Sequence, residues 1–419
     1  MPELTRRDVH VPRLARKVLA VVGVRRAGKT SFVWQCLGDR LAMGRPRESL
    51  ILIGLEDDRL AGIEVRDLDW LLEEYFRRHP EFREHGPVTF CLDEIQTVPD
   101  WERFARRLAE TEQIELLLSG SSARLLSREV ATALRGRAME VLVHPFSFRE
   151  VLRHAGVEPD KKWEKLGKAG RSALDHRLRE YLVAGGFPEA QGVQERDRMA
   201  LLSGYVDVVV LRDVIERHGV SNPVALRWLQ RQLLSTTGGA FSVQKFFQVL
   251  KGQGIPVGKD TLHAYLSHLE DTFLVRVVAM HTASERQRMV NPRRAYPVDP
   301  GLIGVYERTG RPQTGHALET VILLELERRG YDATYIRTKN DYEVDFLAST
   351  PGRKPLLIQV CADTSDQATL ERELRAMTEA RREHRNAVAQ FVTLDATPPA
   401  ELPRGVEWWP GARWLLEET

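Results

Sequence analysis

Gly23, Val24, Arg25, Arg26, Ala27, Gly28, Lys29 and Thr30 follow one another as glycine, four residues, glycine, lysine, threonine. That spacing is the signature of a phosphate-binding loop. Two glycines let the backbone wrap an anion at angles a Cβ would forbid. Successive N–H groups and a helix N-terminus then face the phosphate. A lysine in this place reaches the terminal phosphates of a nucleoside triphosphate, and the following hydroxyl ligates Mg²⁺. Gly23, Arg25, Arg26, Ala27, Gly28, Lys29, Thr30 and Ser31 are therefore the expected nucleotide contacts, with ATP and Mg²⁺ as cofactors. The competing reading is a glycine turn before a basic helix. About sixty residues on, Val88 to Leu92 form an apolar run that ends in Asp93 and Glu94. A carboxylate at the end of a buried strand holds the metal, here Asp93, and the next one, Glu94, takes a proton from the attacking water. Alone, such a string is common. Behind a phosphate loop it supplies the second half of one mechanism.

Elements must position these groups. Val18 to Val22 reads as a buried strand before the loop, and Ser31 to Leu37 as the start of a helix. Ser49 to Leu55 and Ile114 to Leu118 read as further buried strands. Between them lie amphipathic stretches, Asp67 to Arg78 with Asp67 as its cap, and Asp100 to Glu110. Strands alternating with helices imply a parallel sheet covered on both faces, with ligands at its C-terminal end. Ser119 and Ser121 fall at that end, where NTPases with an additional strand place a polar sensor of the γ-phosphate; a helix cap is the alternative. Arg135 and Arg137 flank Gly136 and suit a finger reaching a neighbouring subunit's nucleotide; a solvated basic turn is the alternative. Val141 to Val143 would close the sheet.

The 419 residues suggest two to four domains, and a net charge of +2 carries no global basic field, so a nucleic-acid site would have to be a local patch. Cys36, Cys91 and Cys361 have no metal-ligand spacing and suggest neither a disulfide framework nor secretion. Glu3 to Arg7 is charged, with no apolar signal core, and no apolar stretch is long enough to span a bilayer. A cytoplasmic protein with no membrane partner is the expectation.

The loop, the Phe90–Gln96 string and the stretch from Ser119 to Leu152 resemble the archaeal-type AAA+ ATPases of bacteria and archaea, whose C-terminal domain is similar to PD-(D/E)xK nucleases. The resemblance implies an α/β chain in four parts: an AAA+ P-loop ATPase core with a parallel sheet (1–155), a helical lid (156–220), a winged helix (221–298) and a nuclease-like α/β domain (299–419). It implies assembly into a ring or hexamer. It makes Arg212, beside Asp213, a second sensor of nucleotide; a surface ion pair is the alternative.

Residues 223 to 290 read as helix, turn, helix and basic hairpin, the winged-helix pattern. Lys259, Thr261, His263 and Ser267 would face a groove, while Arg286, Arg288, Arg293 and Arg294 would hold phosphates; packing between subunits is the other use of such a module. Beyond residue 299, a helix from Gly315 and strands at Tyr335–Arg337, Glu343–Leu347 and Leu356–Val360 resemble the nuclease core. There a helix glutamate, a strand aspartate and a Glu-x-Lys pair bind metal and activate water. Glu319 and Asp345 match. Gln359 and Cys361 stand where the last pair belongs, and loss of the lysine argues against cleavage. The expected function is an Mg²⁺-dependent ATPase acting on branched or duplex DNA, as an oligomeric remodeller or translocase of helicase or branch-migration type. The alternatives are a nucleotide-controlled signalling switch that binds a protein, and an ATP-gated nuclease, which Cys361 disfavours.

Overall fold

The computed structural model describes residues 4–12, 17–86, 88–120, 136, 138–282, 284, 286–287, 292–307 and 313–417. The chain forms two compact units, residues 1–145 with 271–273, and residues 146–270 with 274–419.

The first unit runs β1 (Val18–Val22), α1 (Lys29–Ala42), β2 (Leu50–Gly54), α2 (Val65–Arg78), α3 (Glu81–His85), β3 (Val88–Asp93), α4 (Trp101–Thr111), β4 (Ile114–Ser119) and β5 (Ala138–Leu142). Its strands lie in the order β2-β3-β4-β1-β5, and every pair is parallel. Every residue of β1 and β3 is buried, as continuous apolar runs require of strands covered on both faces. Phe32, Val33, Cys36 and Leu37 of α1 pack on Leu19 and Val21 of β1 and Leu117 of β4; a fully buried side chain of this size contributes about 1.5–3 kcal/mol. Helix α2 begins earlier than its apolar spacing suggests. Glu64 is the cap, and Asp67 sits at the third helical position, where its carboxylate accepts the Glu64 N–H at 2.9 Å. The pair closes a capping box, so Asp67 acts from inside the first turn and not as the cap itself.

The second unit contains α5 (Phe148–His154), α6 (Lys168–Ala184), α7 (Glu195–Val208) continued by a π-helix (Val209–Glu216), α8 (Pro223–Ser235), β6 (Ala240–Phe241), α9 (Val243–Gly252) and α10 (Lys259–Asp271). It continues with β7 (Val275–Val278), β8 (Arg293–Pro297), α11 (Gly301–Tyr306), α12 (Thr314–Arg328), β9 (Asp332–Arg337), β10 (Glu343–Ser349), β11 (Leu356–Cys361), α13 (Gln367–Glu383), β12 (Val388–Thr393), β13 (Val406–Pro410) and α14 (Gly411–Leu416). Helices α8, α9 and α10 accompany a small antiparallel sheet in the order β6-β8-β7. A second sheet has the order β13-β12-β11-β10-β9, antiparallel between β9, β10 and β11 and parallel between β11, β12 and β13.

These parts are not separate bodies. Leu174, Leu178, Tyr181 and Leu182 of α6, in the segment expected as a lid, share one core with Leu318, Val321 and Ile322 of α12 and Trp414 of α14. The apolar stripe of α6 is completed by residues more than a hundred positions away, which local periodicity cannot register.

A buried carboxylate fixes the turn after α6. Asp299 accepts the N–H of Gly186 at 2.6 Å and that of Gly301 at 2.9 Å. A Cβ on Gly185, at φ 78°, would come within 1.8 Å of the same carboxylate. Asp299→Ala leaves two buried N–H groups without an acceptor. The expected loss is about 2–4 kcal/mol, read as a lower urea midpoint with an unchanged slope.

Candidate active site

The strand order decides which groups meet. Strand β4 is inserted between β1, which leads into the phosphate loop, and β3, which carries the acidic pair. Ser119, the last residue of β4, pairs in register with Val21, and Leu118 pairs with Leu92, one residue before Asp93. The ends of all three strands therefore lie side by side.

The loop between β1 and α1 is held by close approaches. Gly23 has φ 147°, and a Cβ there would lie 2.1 Å from the Val143 carbonyl oxygen, so only glycine fits. Gly28, at φ 91°, turns the chain into α1. Ala27 is fully buried, while Arg26 is exposed at φ 65°. Arg25 pairs with Glu56 at 3.5 Å, and Ser31 is exposed on the first turn of α1. Lys29 is 5% exposed, and its ammonium donates to the carbonyls of Gly23 and Val24, each at 3.2 Å.

Asp93 joins the loop helix to the inserted strand. Its Oδ2 accepts the Thr30 hydroxyl at 2.7 Å, and its Oδ1 accepts the hydroxyl of Ser119. The Ser119 oxygen in turn accepts the backbone N–H of Glu94 at 3.3 Å. A hydroxyl and a carboxylate this close are the donor set that Mg²⁺ takes beside substrate phosphates. No cluster of three or more His, Cys, Asp or Glu side chains suited to a metal occurs among the described residues, and a loop of this kind needs none. Thr30 and Asp93 thus fit the ion by chemistry and position.

Glu94 sits in the left-handed region, at φ 55°, a conformation that concentrates at functional sites in non-glycine residues. Gln96 donates to its carboxylate. Burial pushes the Glu94 carboxyl above the usual range, and the Lys29 charge and the Gln96 bond oppose that shift. The arrangement gives a carboxylate of raised basicity beside a buried ammonium, a hydroxyl and an acidic ligand.

The loop also has a support that motif spacing does not reveal. Arg7, 5% exposed, donates to the Ala27 carbonyl at 2.9 Å and the His144 carbonyl at 2.5 Å. Its backbone N–H donates to the Gln35 side chain at 2.7 Å, and its carbonyl accepts from Gln35 at 3.1 Å. The sequence marks Glu3 to Arg7 only as a charged stretch; its spacing does not reveal that Arg7 braces the loop.

Of the remaining expected site residues, Ser121, Arg135, Arg137 and Arg288 lie outside the described residues. Lys259 is exposed and Thr261 half-buried on the first turn of α10; Arg286 is exposed, and Arg293 half-buried at the start of β8. Arg212 belongs to the π-helix, followed by buried Asp213. Arg294 departs from the expectation. It is 8% exposed, and its guanidinium is bound to Asp345 and Glu343, so it does not face outward to hold a phosphate. Alternation along β8 turns it to the opposite face from Arg293. Glu319, Asp345 and Gln359 line one cavity. The Cys361 thiol donates to the Asp363 carbonyl at 3.2 Å, and burial raises its pKa to about 11.

The strand order and this site define the AAA-type P-loop ATPase class. A family model described as an AAA domain matches residues 15–152, and one described as a domain of unknown function matches residues 175–312. An uncharacterized protein of Methanocaldococcus jannaschii is 30% identical over 379 residues, spanning 89% of this chain and 81% of that protein. An uncharacterized protein of Haemophilus influenzae is 27% identical over 334 residues, 79% of each chain. The chain belongs to the family of the Methanocaldococcus protein, with the AAA domain at its N-terminal end. Among solved structures, a Walker-type ATPase of Pyrococcus abyssi is similar at 16% identity and a TM-score of 0.43, over 69% of this chain and 90% of that one.

Arg7→Ala removes two bonds from a buried charged donor, each worth about 1.5–3 kcal/mol. The first unit should lose about 3 kcal/mol in denaturant unfolding, while the second keeps its own transition.

Proposed function

We propose that the chain hydrolyses ATP at the Thr30–Asp93 site and uses the cycle to act on DNA. The observation that carries the hydrolysis is the convergence of Lys29, Thr30, Asp93, Glu94 and Ser119 on the ends of three adjacent strands. Thr30 and Asp93 would hold Mg²⁺, which would neutralise phosphate charge. Glu94 takes a proton from water, the water oxygen bonds to the γ-phosphorus, and the bond from that phosphorus to the β-phosphate oxygen breaks. Lys29 stabilises charge on the transferring group, and Ser119 orients the Asp93 carboxylate and the Glu94 backbone. An arginine finger from a neighbouring subunit, Arg135 or Arg137, belongs to the same reading, as does assembly into a ring.

The DNA part rests on the second unit. Three helices with a small sheet in the order β6-β8-β7 support reading residues 221–298 as a winged helix. The His263 pKa is lowered by burial and by the charges of Lys259 and Arg293, which lie close enough to act on it. A basic patch at a helix start and strand end suits a phosphate backbone. Movement of such modules by a nucleotide cycle gives a remodeller or translocase of helicase or branch-migration type. The degenerate cluster at Glu319, Asp345, Gln359 and Cys361 does not favour cleavage, because Cys361 is a buried neutral thiol.

Steady-state ATP hydrolysis at fixed low salt, with no DNA, single strand, duplex and a four-way junction, tests both parts. Lys29→Ala should abolish turnover; persistent turnover would remove the site assignment. Stimulation ranked by DNA structure supports action on DNA, whereas equal slow rates in all four move the function to a switch that binds a protein. Arg293→Ala should weaken DNA binding and reduce the salt slope by about one.

The pH profile follows from Glu94. It must be ionised to accept a proton, and its pKa is raised by burial. Turnover should therefore fall with decreasing pH through a midpoint above that of an ordinary glutamate. Glu94→Gln should lower turnover by about 10²–10⁴-fold and remove that acid limb.

A further inference from the structure

Glu94 and Gln96 meet across a short, clamped turn. The chain leaves β3 at Asp93, passes through Glu94 in the left-handed region and enters the 3₁₀ turn Ile95–Thr97. Ile95 and Val98 are buried on either side. The Thr97 N–H and hydroxyl donate to the Glu94 carbonyl at 3.1 and 3.0 Å, and the hydroxyl also donates to the Leu55 carbonyl, just beyond β2, at 3.3 Å. The Leu55 N–H donates to the Asp93 carbonyl at 3.0 Å. Ser119, at the end of β4, accepts the Glu94 N–H. The backbone around Gln96 is therefore tied to the ends of β2, β3 and β4.

On this fixed backbone the Gln96 amide has one partner. Its nitrogen donates to Oε2 of Glu94. Its oxygen is buried and has no hydrogen-bond partner. A buried acceptor left unpaired is costly. Turning the amide over would cost more, because it would set that oxygen against a carboxylate and take the nitrogen away from its acceptor. The carboxylate thus fixes which way the amide faces, and the amide fixes the carboxylate. Among the described residues, Gln96 is the one side chain that hydrogen-bonds the Glu94 carboxylate. A glutamate side chain turns about three bonds, and a general base must keep one oxygen toward the water it deprotonates. With Oε2 held, Oε1 is the oxygen left for that work.

We infer that Gln96 is a positioning residue for hydrolysis, holding Oε2 of Glu94 so that Oε1 is presented to the attacking water. That role rests on the reading of Glu94 as the general base. Gln96 touches neither nucleotide nor water in it and acts through Glu94 alone. Its loss leaves the Lys29 and Thr30 contacts to nucleotide intact and lets the carboxylate swing, including toward the Lys29 ammonium, whose charge already acts on it. A misplaced base costs rate and not affinity.

The test is steady-state ATP hydrolysis by the full-length chain with Mg²⁺, alongside binding of a fluorescent ATP analogue. Gln96→Met keeps the length and removes the donor. It should lower kcat about ten- to hundredfold, the size of one hydrogen bond to a charged group, with KM and analogue affinity within about twofold of wild type. Gln96→Glu keeps the shape, replaces the donor with a second carboxylate and should lose at least as much. Gln96→His keeps an N–H and should recover part of the loss. In a Glu94→Gln background, Gln96→Met should have no further effect, since its action needs the carboxylate. A folded Gln96→Met with wild-type kcat, a KM that rises as kcat falls, or a full additional loss beside Glu94→Gln would overturn the role of Gln96 and leave the ATPase reading standing. Failure of both the Met and Glu variants to fold, read by circular dichroism, would also overturn it, by assigning Gln96 to the fold. Turnover that survives Lys29→Ala would instead remove the site reading, and the role of Gln96 with it.

Discussion

The candidate site hangs on the Asp93 carboxylate, whose two oxygens are claimed from different directions. One accepts from Thr30, on the helix that follows the phosphate loop, and the other from Ser119, on the inserted strand. A carboxylate at the end of a buried strand is costly unless its lone pairs are satisfied. Here the satisfaction is itself the assembly of the site, because each donor comes from a separate part that must be in register. The parallel order β2-β3-β4-β1-β5 makes this possible: it brings Ser119 between the loop and the acidic pair, which lie about sixty residues apart in the chain.

Much of this was readable in the residues because the demands are local. Glycines at 23 and 28, a lysine and a threonine are needed at fixed spacing, and uninterrupted apolar runs mark strands buried on both faces. Positions of strands β1 to β4 follow from those runs. What escaped was set by distance. Arg7 braces Ala27 and His144 across spans of 20 and 137 residues, and no spacing rule connects them. Gln96 donates to the Glu94 carboxylate at a residue that adopts the left-handed region, a turn that the residue types do not announce. The C-terminal strands β12 and β13 and helix α13, beyond residue 361, had no motif to draw attention to them, although their parallel pairing completes the second sheet.

The second unit shows how an altered pattern can keep its electrostatics. Cys361 contributes no charge, and its thiol is occupied by a carbonyl. Burial, together with the Asp345 charge, pushes the Glu319 carboxyl well above its ordinary range. The balance is restored by a side chain from β8, at a position that reads from sequence as one more arginine of a basic hairpin. Composition distinguishes neither Arg293 from Arg294 nor the outward from the inward face; only pairing with β6 and β7 does so.

That neighbouring pair has a consequence for folding fidelity. Strand β8 presents two identical side chains in succession, one half-buried and one inside, followed by Ala295 and Tyr296. Slippage by a single residue would exchange the faces of the whole strand. Arginine at both positions does not tell the two alignments apart by residue type, so discrimination falls on Tyr296. A slip that brings Arg293 into the place of Arg294 would keep a counter-charge for Asp345 and Glu343 but set Ala295 where Tyr296 donates to Glu319. The tyrosine, rather than the ion pair, therefore distinguishes the two strand alignments, which backbone hydrogen bonding alone would accept equally.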